Sequence, residues 1–210
     1  MAKSLLEDSP DFPPVHYLVG VNRYNLGKLY EGAGKLDDAK SAYREAIPLL
    51  QKAIEAEPKE VRNLRLLAMC RYNLGLAFAK GGKPDQADEI WNQSLRDWRV
   101  VILFRPFASE SHSRAGATLS NLAVLASDRG DFKQCRRLAE EALIHQKRAL
   151  RTEPVYKHAK GFLLTHYKHL SDLDARTGSL LVRWPEANAA PDSSRWSAVL
   201  TATAWTCGRT

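Results

Sequence analysis

Three histidines in the last third of the chain are the side chains most suited to metal chemistry. His166 and His169 have the i, i+3 spacing of a helical ligand pair, with His158 upstream and Cys135 a possible further ligand. His169, however, holds a position that asparagine occupies in three earlier copies of a sequence repeat, and this gives it a structural explanation. The sequence therefore predicts no metal site.

Glycines beside lysines, at Gly32–Lys35 and Gly81–Lys83, suggest phosphate binding. A phosphate loop needs Ser or Thr after its lysine and a glycine five residues before its last glycine. Leu36 and Pro84 follow the two lysines, and the earlier glycines are missing too. No kinase signature and no Ser/His/Asp or Cys/His arrangement is present. We predict a non-catalytic chain without a cofactor.

The elements that position these residues recur every 48 residues. Arg23–Gly27 returns as Arg71–Gly75, and more weakly as Leu119–Ala123 and Tyr167–Ser171. Two further landmarks keep the same spacing: Pro10, Pro58, Pro106 and Pro154, and Gly34, Gly82, Gly130 and Gly178. Three landmarks with one spacing indicate a repeat architecture.

Each copy has the apolar periodicity of two helices, called A and B here. The glycine lies between them, where a left-handed backbone conformation ends helix A. The proline ends helix B, because a helix interior does not accept it. Pro84 suits the first turn of a helix B, and Asp131 suits an N-cap. We expect at least about 65% helix and no sheet, with a kink where Pro48 interrupts the first helix B.

These residues resemble the tetratricopeptide repeat family over roughly residues 11–178. Its pattern appears in the first copy as Leu26, Gly27, Tyr30, Gly34, Ala39, Tyr43, Ala46 and Pro58, and the second copy matches it closely. The resemblance implies an all-α, right-handed α-solenoid of antiparallel helix pairs. The ordinary repeat has 34 residues, so each helix here gains about two turns. The third copy replaces both aromatics with Ala126 and Ala139, which predicts thin packing unless Phe132 or Leu143 fills the space.

The resemblance also implies that helix A lines a concave groove. Asn25, Asn73 and Asn121 would form a ladder of amides there, able to bond the backbone of an extended peptide. The alternative is that each amide bonds a neighbouring helix. The other residues predicted for the groove are Tyr24, Tyr72, Leu76, Lys28, Lys80 and Lys168. A clamp for a C-terminal carboxylate, known in this family, is not supported, because its basic and amide positions hold Tyr24 and Lys28, then Tyr72 and Leu76.

The net charge of +7 is concentrated in residues 61–180, which carry 20 Lys and Arg against 12 Asp and Glu. We predict a protein-interaction module that binds a peptide or partner domain. One alternative is a basic surface for nucleic acid or an acidic partner, with nucleic acid the less favoured. Another is a fragment of a kinase-linked signalling protein, since the long repeat resembles arrays that follow bacterial Ser/Thr kinase domains.

Both ends of the chain differ from the repeats. Residues 1–10 are predicted to be the remnant of a preceding helix B, residues 11–178 a solenoid of three and a half repeats, and residues 179–210 an irregular or disordered tail. The fourth helix A, about 155–177, lacks a good partner helix and is a candidate for self-association. No apolar stretch suits a signal peptide or a membrane helix, so we expect a cytoplasmic protein without a membrane partner.

Overall fold

The computed structural model of the chain describes residues 13–153 and residue 161, and 87% of these residues are helical with no strand among them. The predictions for residues 1–10, for the fourth helix A and for the tail lie outside these residues. Six helices follow one another along the chain: α1 Pro13–Gly32, α2 Leu36–Ala56, α3 Val61–Lys80, α4 Pro84–Phe104, α5 Ser109–Asp128 and α6 Phe132–Thr152.

The helices recur with the predicted spacing. The A helices α1, α3 and α5 begin at residues 13, 61 and 109, and the B helices α2, α4 and α6 begin at 36, 84 and 132. Each helix pairs with the next along the chain, and the three-residue turns within a pair make its two helices antiparallel. The described chain is therefore an all-α solenoid of helix pairs, as predicted.

The turn signals lie where the sequence predicts them. Gly34, Gly82 and Gly130 have φ of +74°, +70° and +75°, a conformation that side chains beyond glycine rarely adopt. Pro84 is the first residue of α4, and the Asp131 carboxylate caps α6 by accepting from the backbone N–H of Gln134 at 2.9 Å. Local chemistry thus sets the helix ends.

In the first two pairs, a glycine on helix A faces a large aromatic ring on helix B, and this contact sets the distance between the paired helices. A Cβ atom built on Gly27 would lie 2.5 Å from the Tyr43 ring, and one on Gly75 would lie 2.4 Å from the Trp91 ring. Both rings are buried. In the third pair the same two positions hold Ala123 and Ala139, both buried. In the third pair, the residue on helix A is therefore larger than glycine, and the residue on helix B is smaller than the aromatic side chain of the other two pairs.

Pro48 lies on the exposed side of α2, which continues through it from Leu36 to Ala56. Proline has no N–H to donate to the Arg44 carbonyl, and its ring crowds that group, so we expect a bend there.

Because the site faces solvent, Pro48→Ala will restore the helical hydrogen bond without opening a cavity. We expect the free energy of unfolding to rise by about 1–3 kcal/mol, measured by urea titration. Pro58→Ala, in the turn after α2, is the matched control and should bring no such gain. Equal effects from the two changes would contradict this explanation.

Candidate interaction surface

A tyrosine–asparagine hydrogen bond joins the first two A helices. The Asn73 side-chain amide of α3 donates to the Tyr24 hydroxyl of α1 at 3.3 Å. One repeat later, the side-chain amide nitrogen of Asn121 on α5 is buried without a hydrogen-bond partner in the described chain. Burial raises the pKa of both Tyr24 and Tyr72, against opposing effects of Arg114 and of these amides. Both hydroxyls therefore stay protonated, and that of Tyr24 accepts from Asn73.

The predicted ladder of amides thus has a structural hydrogen bond at one of its three positions. Asn73 is half-buried and bonds a tyrosine of the preceding repeat, Asn121 is half-buried with its amide nitrogen unpaired in the described chain, and Asn25 is exposed. The Asn73 carbonyl oxygen makes no hydrogen bond within the part of the chain that the structure describes. The amides are therefore partly engaged by neighbouring helices and partly open to a ligand.

Tyr24, predicted to grip a ligand side chain, packs largely against the protein itself. It is 5% exposed, and its ring lies 6.0 Å from the ring of Tyr43, centroid to centroid. The Tyr24 ring is buried because Gly27 lets α2 approach closely and carry Tyr43 over this part of α1. Lys28 lies above the same ring, its Nζ 5.9 Å from the centroid, and stays exposed.

Ion pairs brace successive A helices beside the tyrosines. Lys80 of α3 lies 2.6 Å from Glu31 of α1, and Arg65 of α3 lies 2.6 Å from Glu110 of α5. Lys80 is therefore already paired with an acid. Lys28, in contrast, has no carboxylate partner within residues 13–153.

The remaining predicted residues are Leu76, which is half-buried against the core, and Lys168, which lies outside the described residues. Sequence reasoning missed Arg114 of α5, whose charge acts on both Tyr24 and Tyr72. Its equivalents in the first two repeats are Leu18 and Leu66, so a search for repeated residues could not have found it. We call the surface formed by these side chains of the A helices the inner face, and it combines polar atoms of α1 and α3 with a cation from α5.

The described residues contain no cluster of three or more side chains that could hold a metal ion. His158, His166 and His169 lie outside them. The glycines of the two suspected phosphate segments include Gly34 and Gly82, which form the turns between paired helices. No described helix is long and apolar enough to cross a membrane.

A buried histidine pair joins α5 to α6. The Nδ1 atoms of His112 and His145 lie 3.0 Å apart, and Nε2 of His112 lies 2.9 Å from the Pro106 carbonyl. A carbonyl can only accept, so Nε2 of His112 carries the proton and donates it. Nδ1 of neutral His112 then accepts from Nδ1–H of His145. A proton on both Nδ1 atoms would set two N–H groups against each other.

Acid is therefore expected to weaken the array through this pair. Burial, His112, Arg148 and Arg99 lower the pKa of His145 to about 4, and Glu141 opposes them. Between pH 6.5 and 4 the unfolded chain binds a proton on this residue that the folded chain does not. The free energy of unfolding should thus fall with falling pH across that window, by about 3 kcal/mol from this group.

Urea titrations at pH 7 and pH 4.5 measure the effect. His145→Gln keeps a donor for His112 but cannot titrate, so its loss of stability between the two pH values should be smaller than that of the wild type. Equal losses in the two proteins would show that other groups cause the acid sensitivity.

The six helices form an array of helix hairpins. Three family models, each describing a tetratricopeptide repeat, match residues 22–49, 69–98 and 116–141. These three segments of the chain are tetratricopeptide repeats. Such repeats are generally protein–protein interaction modules.

Solved structures share the fold. The crystal structure of BtubC (BKLC) from P. vanneervenii superposes with a TM-score of 0.58 at 17% sequence identity, covering 91% of this chain and 65% of that one. The chain thus spans about two thirds of the length of that protein, and at this identity the likeness concerns the fold alone. No curated protein matches the sequence.

Proposed function

We propose that the inner face of α1 and α3 binds an extended segment of a partner protein. The observation that carries this proposal is the set of polar atoms that the fold leaves open there. Asn25 is exposed, and the Asn73 carbonyl oxygen lacks a protein partner within the described chain. Extended peptide backbones present N–H and C=O groups that need such partners.

The charge of this face indicates the kind of segment. Lys28 is exposed and has no acidic partner in the described chain, and the charge of Arg114 acts close to Tyr24 and Tyr72. Lys80, in contrast, is neutralised by Glu31. A segment with an acidic side chain opposite Lys28 fits this arrangement, with Tyr72 and Leu76 offering half-buried apolar surface. The proposed ligand is therefore an extended, mildly acidic peptide.

The test begins with an array of twelve-residue extended peptides of varied charge, incubated with the labelled chain. The peptide that binds best is then titrated against Asn25→Ala and Lys28→Gln. We expect each change to weaken binding about five- to tenfold. Lys52→Gln, on the exposed side of α2, is the matched control and should bind as the wild type does. If Asn25→Ala and Lys28→Gln both bind the peptide with unchanged affinity, the binding site lies elsewhere.

A second candidate is that the basic surplus binds nucleic acid or another strongly acidic partner. Many cations in residues 61–153 are, however, committed to carboxylates, among them Arg65, Arg71, Arg99 and Arg129. This favours the peptide proposal. The salt dependence of binding separates the two, because contacts to many phosphates weaken steeply as salt is added.

The 48-residue spacing of the helices supports a proposal about the kind of protein in which this array occurs. We propose that the array belongs to the long-repeat variety that accompanies bacterial Ser/Thr kinases. Sequencing the flanking reading frames tests this, since an adjoining kinase domain would support it and a chain with unrelated neighbours would count against it.

A further inference from the structure

A cleft on the B-helix side of the array lies between α4 and the pair α5–α6. Its volume is about 190 Å³. Buried apolar side chains form its floor: Leu95, Leu122, Ala126 and Leu138. Three arginines contribute to its rim: Arg99, Arg129 and Arg137. We call this the interrepeat cleft. It is separate from the inner face discussed above.

The preceding repeat shows what shape fits such a space. Phe78 stands 48 residues before Ala126 and is 3% exposed. Its ring lies under two cations of α2, with Lys40 Nζ 5.9 Å and Arg44 Cζ 5.1 Å from the ring centroid. The interrepeat cleft therefore lies where the neighbouring repeat holds an aromatic side chain.

The rim of the cleft carries its cations at other positions than the preceding repeat does. Arg99, Arg129 and Arg137 stand 48 residues after Gln51, Gly81 and Glu89, so each of these three positions has gained a guanidinium. Lys40 and Arg44, which lie over the Phe78 ring, are replaced here by Asp88 and Asn92.

The acids at the rim already have partners. Glu141 lies 2.7 Å from Arg99, Asp88 pairs with Arg129, and the Asp131 carboxylate caps α6. Arg137 donates to the Gln134 amide oxygen at 3.0 and 3.2 Å and has no carboxylate partner in residues 13–153. The cleft thus offers an apolar floor, one guanidinium without an acid and two half-exposed paired ones.

We propose that the interrepeat cleft binds an aromatic side chain of a partner protein, carried on a segment with acidic residues on either side. The ring would replace the side chain missing at Ala126 and stack against guanidinium groups, which favour aromatic faces. The flanking carboxylates would pair with Arg137 and compete for Arg99. Shape selects the aromatic residue, and charge selects its neighbours.

Three fluorescein-labelled peptides of nine residues test this proposal with the full chain. One has a central phenylalanine between four Asp or Glu residues on each side, the second has alanine in place of the phenylalanine, and the third has the acids replaced by Asn and Gln. Fluorescence anisotropy should show the first peptide binding at least about tenfold more tightly than either of the others.

Two variants locate the site. Ala126→Phe fills the cleft with the side chain that the second repeat carries, and Arg137→Gln removes the unpaired cation. Each should weaken the phenylalanine peptide about tenfold. Arg151→Gln, on an exposed part of the same helix, is the matched control and should bind normally. Thermal melts verify that each variant is folded, and Arg137→Gln carries the test if Ala126→Phe is not.

The proposal is overturned if the alanine peptide binds as well as the phenylalanine peptide. It is also overturned if the folded variants bind as tightly as the wild type.

Discussion

Replacing Leu74 with aspartate will abolish the cooperative unfolding transition of the array. Leu74 is 1% exposed and belongs to the core that α3 shares with its neighbouring helices. A carboxylate there would be removed from water, and burying an unpaired charge is among the most destabilising changes in a protein core. We expect a loss above about 5 kcal/mol, comparable with the whole stability of many domains. Circular dichroism during heating and urea titration measures it.

Asn73→Ala, at the adjacent position, is the matched control. Its side chain is half-buried and gives one hydrogen bond of 3.3 Å to Tyr24, so its loss should cost about 0.5–1.5 kcal/mol. The variant should stay folded. If it melts as early as the Leu74→Asp protein, Asn73 is a core residue and is not available to a ligand.

The second large effect concerns the contact of Gly75 with Trp91. Gly75→Ala puts a methyl group 2.4 Å from the Trp91 indole nitrogen, which itself donates to the Tyr72 carbonyl at 3.1 Å. The rigid, buried ring has little room to move, so we expect a loss of about 2–4 kcal/mol. Trp91→Ala alone should cost about 3–5 kcal/mol by leaving a cavity.

The two changes together should cost less than their sum, by about 1–3 kcal/mol. The added methyl group no longer meets a ring, and the double variant reproduces the Ala123–Ala139 pair that the third repeat carries. Urea unfolding of the wild type, both single variants and the double variant gives the four values required. Strict additivity would show that the close approach of Gly75 to Trp91 does not set the helix separation.

Much of this fold was predictable because its signals are local and repeated. A glycine with positive φ, an N-capping Asp131 and a proline after helix B each act within a few residues, and the 48-residue spacing repeats the glycine and the proline. Periodicity then distinguishes buried from exposed faces. These features need no knowledge of which helices meet.

The inner face was less predictable, because it depends on which residues of different repeats meet. Tyr24 was placed on the surface, but the close approach that Gly27 allows buries it under α2. Arg114 was missed, since its role arises from the position of α5 relative to two tyrosines of earlier helices. The interrepeat cleft follows from an expected loss of aromatic packing at Ala126, but its arginine rim was evident only from the assembled helices.

Because the helix pairs recur every 48 residues, the length of the array can change only by whole repeats. Each described helix contacts its sequence neighbours, and α1 also meets α3, so the architecture needs no contact between distant repeats. The loops that follow α2 and α4 have equal length and the same proline position, so removing residues 61–108 would join two ends that already match. Natural variation can therefore lengthen or shorten such a protein by whole repeats. The length of the surface offered to a partner then changes by one repeat at a time, while the surface residues of each repeat evolve separately.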